Sequence, residues 1–171
     1  LEMSRHRSMI RTLPISLDVT ACIPSNPDGL GALPVELTTW RDWRARHPQT
    51  TSLSDQTGYD RNYQVNPYQK YFAGQGLMFP ARPASNRLPA KALILGVWSD
   101  TKARAYPLSA LGRLNTSLEQ ELDGKQFKLV YDHANRCLRV ERADEGLQWM
   151  YSFWFAWYAF HPHTEVFTGT R

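Results

Sequence analysis

The amino-acid sequence predicts an α+β fold, a mainly antiparallel sheet of short strands with two short Trp-rich helices. Short apolar or alternating runs separated by turn residues fill residues 91–146, which is typical of a meander of strands. Asp123-Gly124 lies between two alternating runs, and such a pair is the strongest short-range hairpin signal because the tight turn needs positive φ. A Trp-containing motif with helical spacing occurs twice, at residues 40–50 and 154–164.

The composition indicates a compact, ring-rich chain and excludes several classes of protein. The 171 residues include 6 Trp, 8 Tyr and 7 Phe, and 42% are hydrophobic against 21% charged, which excludes wholesale disorder. The net charge of +4 is not concentrated in a block of like charge, so no nucleic-acid partner is expected. No apolar run reaches the ~18–20 residues of a membrane helix, and no apolar core of a signal peptide follows the basic first residues.

The chain is expected to begin with a segment of a different kind from the rest. Residues 1–32 have no clear period and carry several prolines, which predicts an irregular lead-in with one strand near residues 15–21. A single α+β domain is expected over residues 33–171. In it, a threonine N-cap, charged helix formers and a closing proline predict a short helix over residues 40–47. The stretch 55–88 is rich in Asn, Pro, Gly and Tyr, and its rings predict a wrapped segment rather than a free linker.

The second half of the chain predicts the sheet. One continuous apolar run is typical of a buried strand, and the other runs alternate between turn signals. Pro107 has the position expected at the start of one helical turn that ends at residue 111. The strands that these patterns predict are 92–98, 103–106, 118–122, 127–131 and 137–142.

The duplicated motif reads Trp-x-x-Trp-x-x-x-His-Pro-x-Thr. Positions i, i+3 and i+7 fall on one helix face, so the rings of each copy are expected to lie together. A β-prone stretch follows each copy, which predicts a unit of helix, proline stop and strand that relates two halves by pseudo-symmetry. The aromatic residues of this structural repeat are Trp40, Trp43 and His47 in the first copy and Trp154, Trp157 and His161 in the second.

The two copies predict different surroundings. Arginines flank the first, which predicts a surface helix with one apolar stripe. The second is apolar all round and is expected in the core or beneath a partner surface. The favoured role of both copies is packing, in which each His caps the last carbonyls of its helix, rather than a direct part in function.

Several stretches of the chain resemble the bacterial domain-of-unknown-function family 3179 over about residues 33–168. The resemblance implies a mostly extracytoplasmic bacterial protein for which no established catalytic residues carry over. It also implies that a preceding, cysteine-containing half is missing here, so contact with that half or with a homo-oligomer partner is expected. The stretches that carry the resemblance are residues 38–48, 66–68, 87–91, 95–97, 105–108 and 153–162.

The best candidate for a metal site is the group His161, His163 and Glu165. Residues two apart project to one side of an extended segment, so the three side chains would converge on a transition metal such as zinc, copper or iron. A turn at Pro162 would break that alternation. A second, looser set at a hairpin turn consists of Asp132, His133 and Cys137.

Nucleophilic catalysis has weaker support in the sequence. Cys22 and Cys137 permit one disulfide or two free thiols, and neither belongs to a Cys-x-x-Cys pair. Cys137 would act as a thiolate only if the fold placed His133 or His161 beside it, and a buried structural thiol is the more common case. Neither a Gly-x-Ser-x-Gly elbow nor a glycine-rich phosphate loop is present.

The leading hypothesis is therefore a non-catalytic binding or structural module. A shallow aromatic groove near Tyr63, Tyr68 and Tyr71 would accept sugars or peptides, the alternative being that these rings only hold the loop down. Two other functions stay open: a metal-dependent or redox protein that uses the His and Glu group, with or without His133 and Cys137, and a thiol hydrolase that uses Cys137.

Overall fold

The computed structural model describes residues 35–63, 65–111, 117–135 and 137–169. These residues form four short helices and seven strands. In chain order they are α1 (Trp40–Arg46), α2 (Gln69–Ala73), β1 (Leu93–Trp98), β2 (Ala103–Pro107), α3 (Leu108–Leu111), β3 (Ser117–Leu122), β4 (Lys125–Asp132), β5 (Cys137–Ala143), β6 (Gln148–Phe153), α4 (Trp154–Phe160) and β7 (Glu165–Val166).

The strands form two sheets. The four-stranded sheet has the order β6-β1-β2-β7, and the three-stranded sheet has the order β3-β4-β5. Every neighbouring pair is antiparallel except β2 with β7, which is parallel. The predicted α+β class, mainly antiparallel sheet with short helices, is confirmed.

Two local features that the sequence predicted, a buried strand and an Asp-Gly hairpin, are present in the structure. β1 is covered on both faces, since Leu95 and Val97 belong to one buried cluster and Ile94 belongs to another, and its apolar run is therefore continuous. The β3–β4 hairpin turns at Asp123 and Gly124, whose φ angles are 58° and 74°. Both angles are in the left-handed region, which glycine adopts without strain and aspartate tolerates better than most residues.

The core lies on both faces of the four-stranded sheet. Leu95 and Tyr106 on one face belong to a large buried cluster shared with the three-stranded sheet. Ile94 and Ala105 on the opposite face pack in a smaller cluster beneath α4. Successive residues of one strand thus serve different clusters, as the alternation of a β-strand requires.

The structure differs from the sequence expectations at several places. β6 was not predicted, and the stretch 55–88 contains the short helix α2. Pro107 ends β2 instead of beginning the helical turn. The stretch 51–53 after the first motif copy forms no strand and belongs to neither of the two described sheets. The strand predicted near residues 15–21 lies outside the described residues.

Candidate functional site

The two motif copies have the same ring geometry. In the first, the indole Nε1–H of Trp43 donates to Thr50 Oγ1 at 3.0 Å. In the second, Nε1–H of Trp157 donates to Thr164 Oγ1, also at 3.0 Å. The centroids of the Trp and His rings are 4.2 Å apart in the first copy and 4.0 Å apart in the second. The four-residue step from the second Trp to the His therefore places their rings together, whereas Trp154, the first Trp of its copy, lies against Tyr158 instead.

The histidines end their helices through the backbone. The N–H of His47 donates to the carbonyl of Trp43 at 2.8 Å, and that of His161 donates to the carbonyl of Trp157 at 2.9 Å. These two bonds are the last i-to-i−4 backbone bonds of the helices rather than the side-chain caps that were expected, and each imidazole lies against an indole ring. Helical N–H bonding ends at these residues because both leave the helical backbone region at the C-cap, with ψ angles of 70° and 66°.

The surroundings of the two copies differ sharply. Trp157 is 1% exposed and packs on β1, where its ring lies over Gly96. His161 is half-buried, and its ring also lies 5.6 Å from that of Trp98. In α1, by contrast, no residue is buried and His47 is exposed. The first copy is the surface helix that the arginines predicted, and the second has its two indoles in the core, although Phe160 at its end is 48% exposed.

The candidate metal ligands are not brought together. Pro162 and His163 form a turn, and the N–H of Thr164 donates back to the carbonyl of His161, so the extended alternation is broken. Glu165 is instead paired with Arg104, at 2.7 Å between Oε2 and Nε. Within the described ranges, no group of three or more His, Cys, Asp and Glu is placed to hold a metal ion.

Cys137 lies in a buried polar corner beneath the start of α1. It is a free thiol, 3% exposed, and its Sγ lies 3.9 Å from Thr38 Oγ1. Burial, foremost, raises the pKa of this thiol, and the nearby carboxylates of Asp132 and Asp42 raise it further. His133 contacts the ring of Tyr131 instead, with centroids 4.9 Å apart. A thiol hydrolase needs an accessible thiol of lowered pKa, and the described site offers neither.

The three tyrosines of the predicted groove have different environments. Tyr68 is 47% exposed. Tyr63 is half-buried, and its hydroxyl lies 2.7 Å from Thr57 Oγ1. Tyr71 is half-buried beneath the ammonium of Lys91, which lies 3.7 Å from the ring centroid.

Most of the large apolar side chains that face solvent come from one stretch, which we call the aromatic segment, residues 53–79. Of the eight such residues in the described ranges, six belong to it. The sequence pattern indicated its tyrosines but not its aliphatic members, because periodicity gives no measure of exposure outside helices and strands. The six are Leu53, Tyr59, Val65, Tyr68, Met78 and Phe79.

The aromatic segment is anchored to the four-stranded sheet through α2. Lys91 Nζ donates to the backbone carbonyls of Tyr71 and Gly74, near the end of this helix. The ring of Phe72 lies 5.8 Å from that of Phe153, the last residue of β6. Lys91 belongs to a stretch that carries the family resemblance, but the sequence indicated no role for it, since its partners lie 17 and 20 residues away.

None of the described helices has the length and apolar character needed to cross a bilayer.

Comparisons with known proteins add one finding. Searches of curated proteins and of solved structures found no match. A sequence profile of the family described as "Protein of unknown function (DUF3179)" matches residues 22–149, which is most of the chain. The protein therefore belongs to this family.

Proposed function

We propose that this protein is a non-catalytic binding module and that the aromatic segment takes its ligand. The observation that supports this is the exposure of six large apolar side chains within one stretch of the chain. A fully exposed side chain of this size, such as Leu53, forgoes about 1.5–3 kcal/mol of burial energy while it stays in water, and the partly exposed ones forgo correspondingly less. Concentrations of exposed apolar side chains mark interaction sites, whereas isolated ones are ordinary.

The anchoring of α2 supports the same proposal. Lys91 and Phe72 hold the middle of the segment on the sheet, while Tyr68 at the helix N-cap faces solvent. A ring presented from an anchored backbone loses less conformational entropy on binding than one on a loose loop. Tyrosine in addition combines a flat apolar ring with a hydroxyl that can hydrogen-bond, which suits it to a binding surface.

The two Trp–His–Thr units serve as scaffold in this proposal. Their matching hydrogen bonds and ring distances support descent from one duplicated helix-and-stop unit. The copy that contains Trp157 closes the outer face of the four-stranded sheet. The aromatic segment, which would bind the ligand, is attached to the same sheet through Lys91.

Peptide and glycan arrays test the proposal, with the full chain as the probe. The variant Tyr59→Ala/Tyr68→Ala/Phe79→Ala removes three exposed rings, none of which contacts another described ring or a described cation. We expect it to fold as the wild type does and to lose at least about tenfold in affinity for the ligands that the arrays identify, because aromatic anchors dominate binding energy. The matched control is Phe160→Ala, an exposed ring outside the segment.

Two results would contradict the proposal. One is that the ligands bind the triple variant as tightly as the wild type. The other is that no array member binds the wild type at micromolar concentration. Circular dichroism of each variant separates lost binding from lost structure.

A further inference from the structure

The short helix α2 has little support of its own. It contains five residues, whereas isolated helices shorter than about 12–15 residues are marginal in water. Its N-cap residue, Tyr68, makes no side-chain capping hydrogen bond, and none of its residues is buried. The helical state of α2 therefore depends on contacts with the rest of the fold.

One ammonium group supports the C-terminal end of α2. Lys91 Nζ donates to the carbonyl of Gly74 at 2.7 Å and to that of Tyr71, and it lies 3.7 Å from the centroid of the Tyr71 ring. Carbonyls at the end of a helix lack helical partners and carry the negative end of the helix dipole. Lys91 thus supplies both hydrogen bonds and a positive charge where the helix end needs them.

The backbone around Lys91 is fixed to the core, in contrast to α2. The N–H of Trp154, which begins α4, donates to the carbonyl of Ala92 at 2.9 Å. The N–H of Phe155 donates to the carbonyl of Ala90, also at 2.9 Å, so both neighbours of Lys91 are held by α4. Neither of the two buried core clusters contains a residue of α2. A movement of α2 away from Lys91 would accordingly leave the sheet and α4 in place.

A pair of rings also joins α2 to the sheet. The ring centroids of Phe72 and Phe153 lie 5.8 Å apart, and Phe72 is only half-buried. Phe153 is 7% exposed and its ring also stacks on that of Phe155, so it would keep a ring partner without Phe72. Elements with few buried apolar contacts open at a lower free energy than the whole fold.

We infer that α2 detaches from the four-stranded sheet and returns to it as a local unit, with the Lys91 ammonium as the latch that holds it docked. Both sheets and α4 stay folded during this movement, because α2 belongs to neither core cluster. Tyr68 moves with the helix, so the latch decides where this exposed ring is presented. The aromatic segment thus has two states, docked and detached, whose ratio depends on one side chain.

Amide hydrogen exchange, measured by NMR on the full chain, tests the latch without any ligand. The N–H of Phe72 donates to the carbonyl of Tyr68, and these bonds exist while α2 is formed. The N–H of Gly74 donates in the same way to the carbonyl of Lys70. In the wild type both amides should exchange more slowly than in an unstructured peptide, with rates that barely change in urea below the unfolding transition. The amides of β1 should instead exchange through global unfolding, with its full dependence on urea.

Lys91→Met keeps the apolar stem and removes the ammonium. It should raise the exchange rates of Phe72 and Gly74 at least about tenfold, because hydrogen bonds from a charged donor are lost, while the rates in β1 stay the same. Lys91→Arg retains a charged donor and should restore part of the protection. The matched control is Lys70→Met, the same change at an exposed lysine of α2 itself, whose effect should stay within about twofold because Lys and Met have similar helix propensities.

Equal protection of Phe72 and Gly74 in Lys91→Met and the wild type would overturn the latch, as would an equal acceleration by Lys70→Met. The wild type alone gives a second test, which holds even if Lys91→Met does not fold. A full urea dependence of these two amides would mean that α2 opens only with the whole fold, and no protection would mean that it is not docked. Since these rates are measured without ligand, failure of the proposed function on the arrays would leave them unchanged.

Discussion

The indole ring of Trp157 lies directly against the backbone of Gly96. A Cβ at position 96 would stand 2.5 Å from Cε3 of that ring, with two further ring carbons nearer still. Real Cβ atoms do not approach a neighbour this closely, so only glycine permits α4 to close on β1 at this point. The contact joins the second motif copy to the central strand of the four-stranded sheet.

Gly96→Ala is expected to destabilise the protein by about 1–3 kcal/mol or more, because overpacking must displace Trp157 or β1. Urea denaturation followed by tryptophan fluorescence measures the loss. Gly76→Ala is the matched control, since no atom lies within 4 Å of a Cβ at that position, and its effect should stay within about 0.5 kcal/mol. Equal midpoints for Gly96→Ala and the wild type would contradict the contact.

The hydroxyls of Thr164 and Thr50 accept equivalent indole hydrogen bonds in different surroundings. Thr164→Val leaves the buried Nε1–H of Trp157 without its acceptor, which should cost about 1–3 kcal/mol. Thr50→Val should cost less, because Trp43 and Thr50 are only half-buried and water can replace the acceptor. The serine variants at both positions keep the hydroxyl and are the controls. Similar losses for the two valine variants would refute the difference in burial.

Tyr106 gives the stability of the protein a dependence on alkaline pH. Burial, foremost, raises the pKa of this phenol to about 12, and its Oη donates to Gln120 Oε1 at 3.0 Å. In the unfolded chain the phenol ionises near the ordinary tyrosine pKa of 10.0, so the folded state binds more protons between these values. The contribution of Tyr106 is therefore complete below about pH 10 and is lost as the pH rises towards 12, a total of about 3 kcal/mol.

Urea denaturation at about pH 8 and pH 11 measures this dependence for the wild type and for Tyr106→Phe. The variant should be less stable at pH 8 but should lose less between the two pH values. Part of the alkaline loss will remain, since burial also raises the pKa of Tyr151. Identical losses in both proteins would mean that the phenol of Tyr106 is not protected from ionisation.

Cys137 is expected to resist alkylation in the folded protein. The thiol is 3% exposed and burial raises its pKa, so very little accessible thiolate exists at pH 6. Iodoacetamide labelling, quantified by mass spectrometry of the peptide that contains Cys137, should be negligible without denaturant and complete in urea at higher pH. Rapid labelling of the folded protein at pH 6 would instead support the thiol hydrolase.

The sequence indicated part of the candidate site but not which of its tyrosines face solvent. Tyr63, Tyr68 and Tyr71 are equivalent by type and neighbourhood, yet Tyr71 lies beneath Lys91 while Tyr68 faces solvent. That difference depends on Lys91, which precedes β1 and lies 20 residues after Tyr71 in the chain. Exposure in this stretch is therefore set by such distant partners and not by the local pattern.

Two other differences between prediction and structure, the missed strand β6 and the metal site, also depend on contacts between distant elements. β6 was missed because its residues, Gln148–Phe153, alternate weakly and acquire their strand geometry from the ladder with β1. The metal prediction for His161, His163 and Glu165 assumed an extended backbone, whereas a turn at Pro162 and the pairing of Glu165 with Arg104 separate the three. The ladder with β1 and the ion pair with Arg104 are contacts from other elements, whereas the turn at Pro162 is local.

By itself, the sequence determined the features whose hydrogen bonds close within about ten residues. These are the β3–β4 hairpin at Asp123 and Gly124 and the Trp–His–Thr unit, which forms in both copies with almost the same distances. Only the tertiary structure decided which surface covers the apolar helix α4, since Trp157 packs over Gly96 and beside Ile94 and Ala105, which come from distant parts of the chain. Local bonding is encoded in neighbouring residues, whereas the hydrophobic effect acts on whatever surfaces the chain brings together.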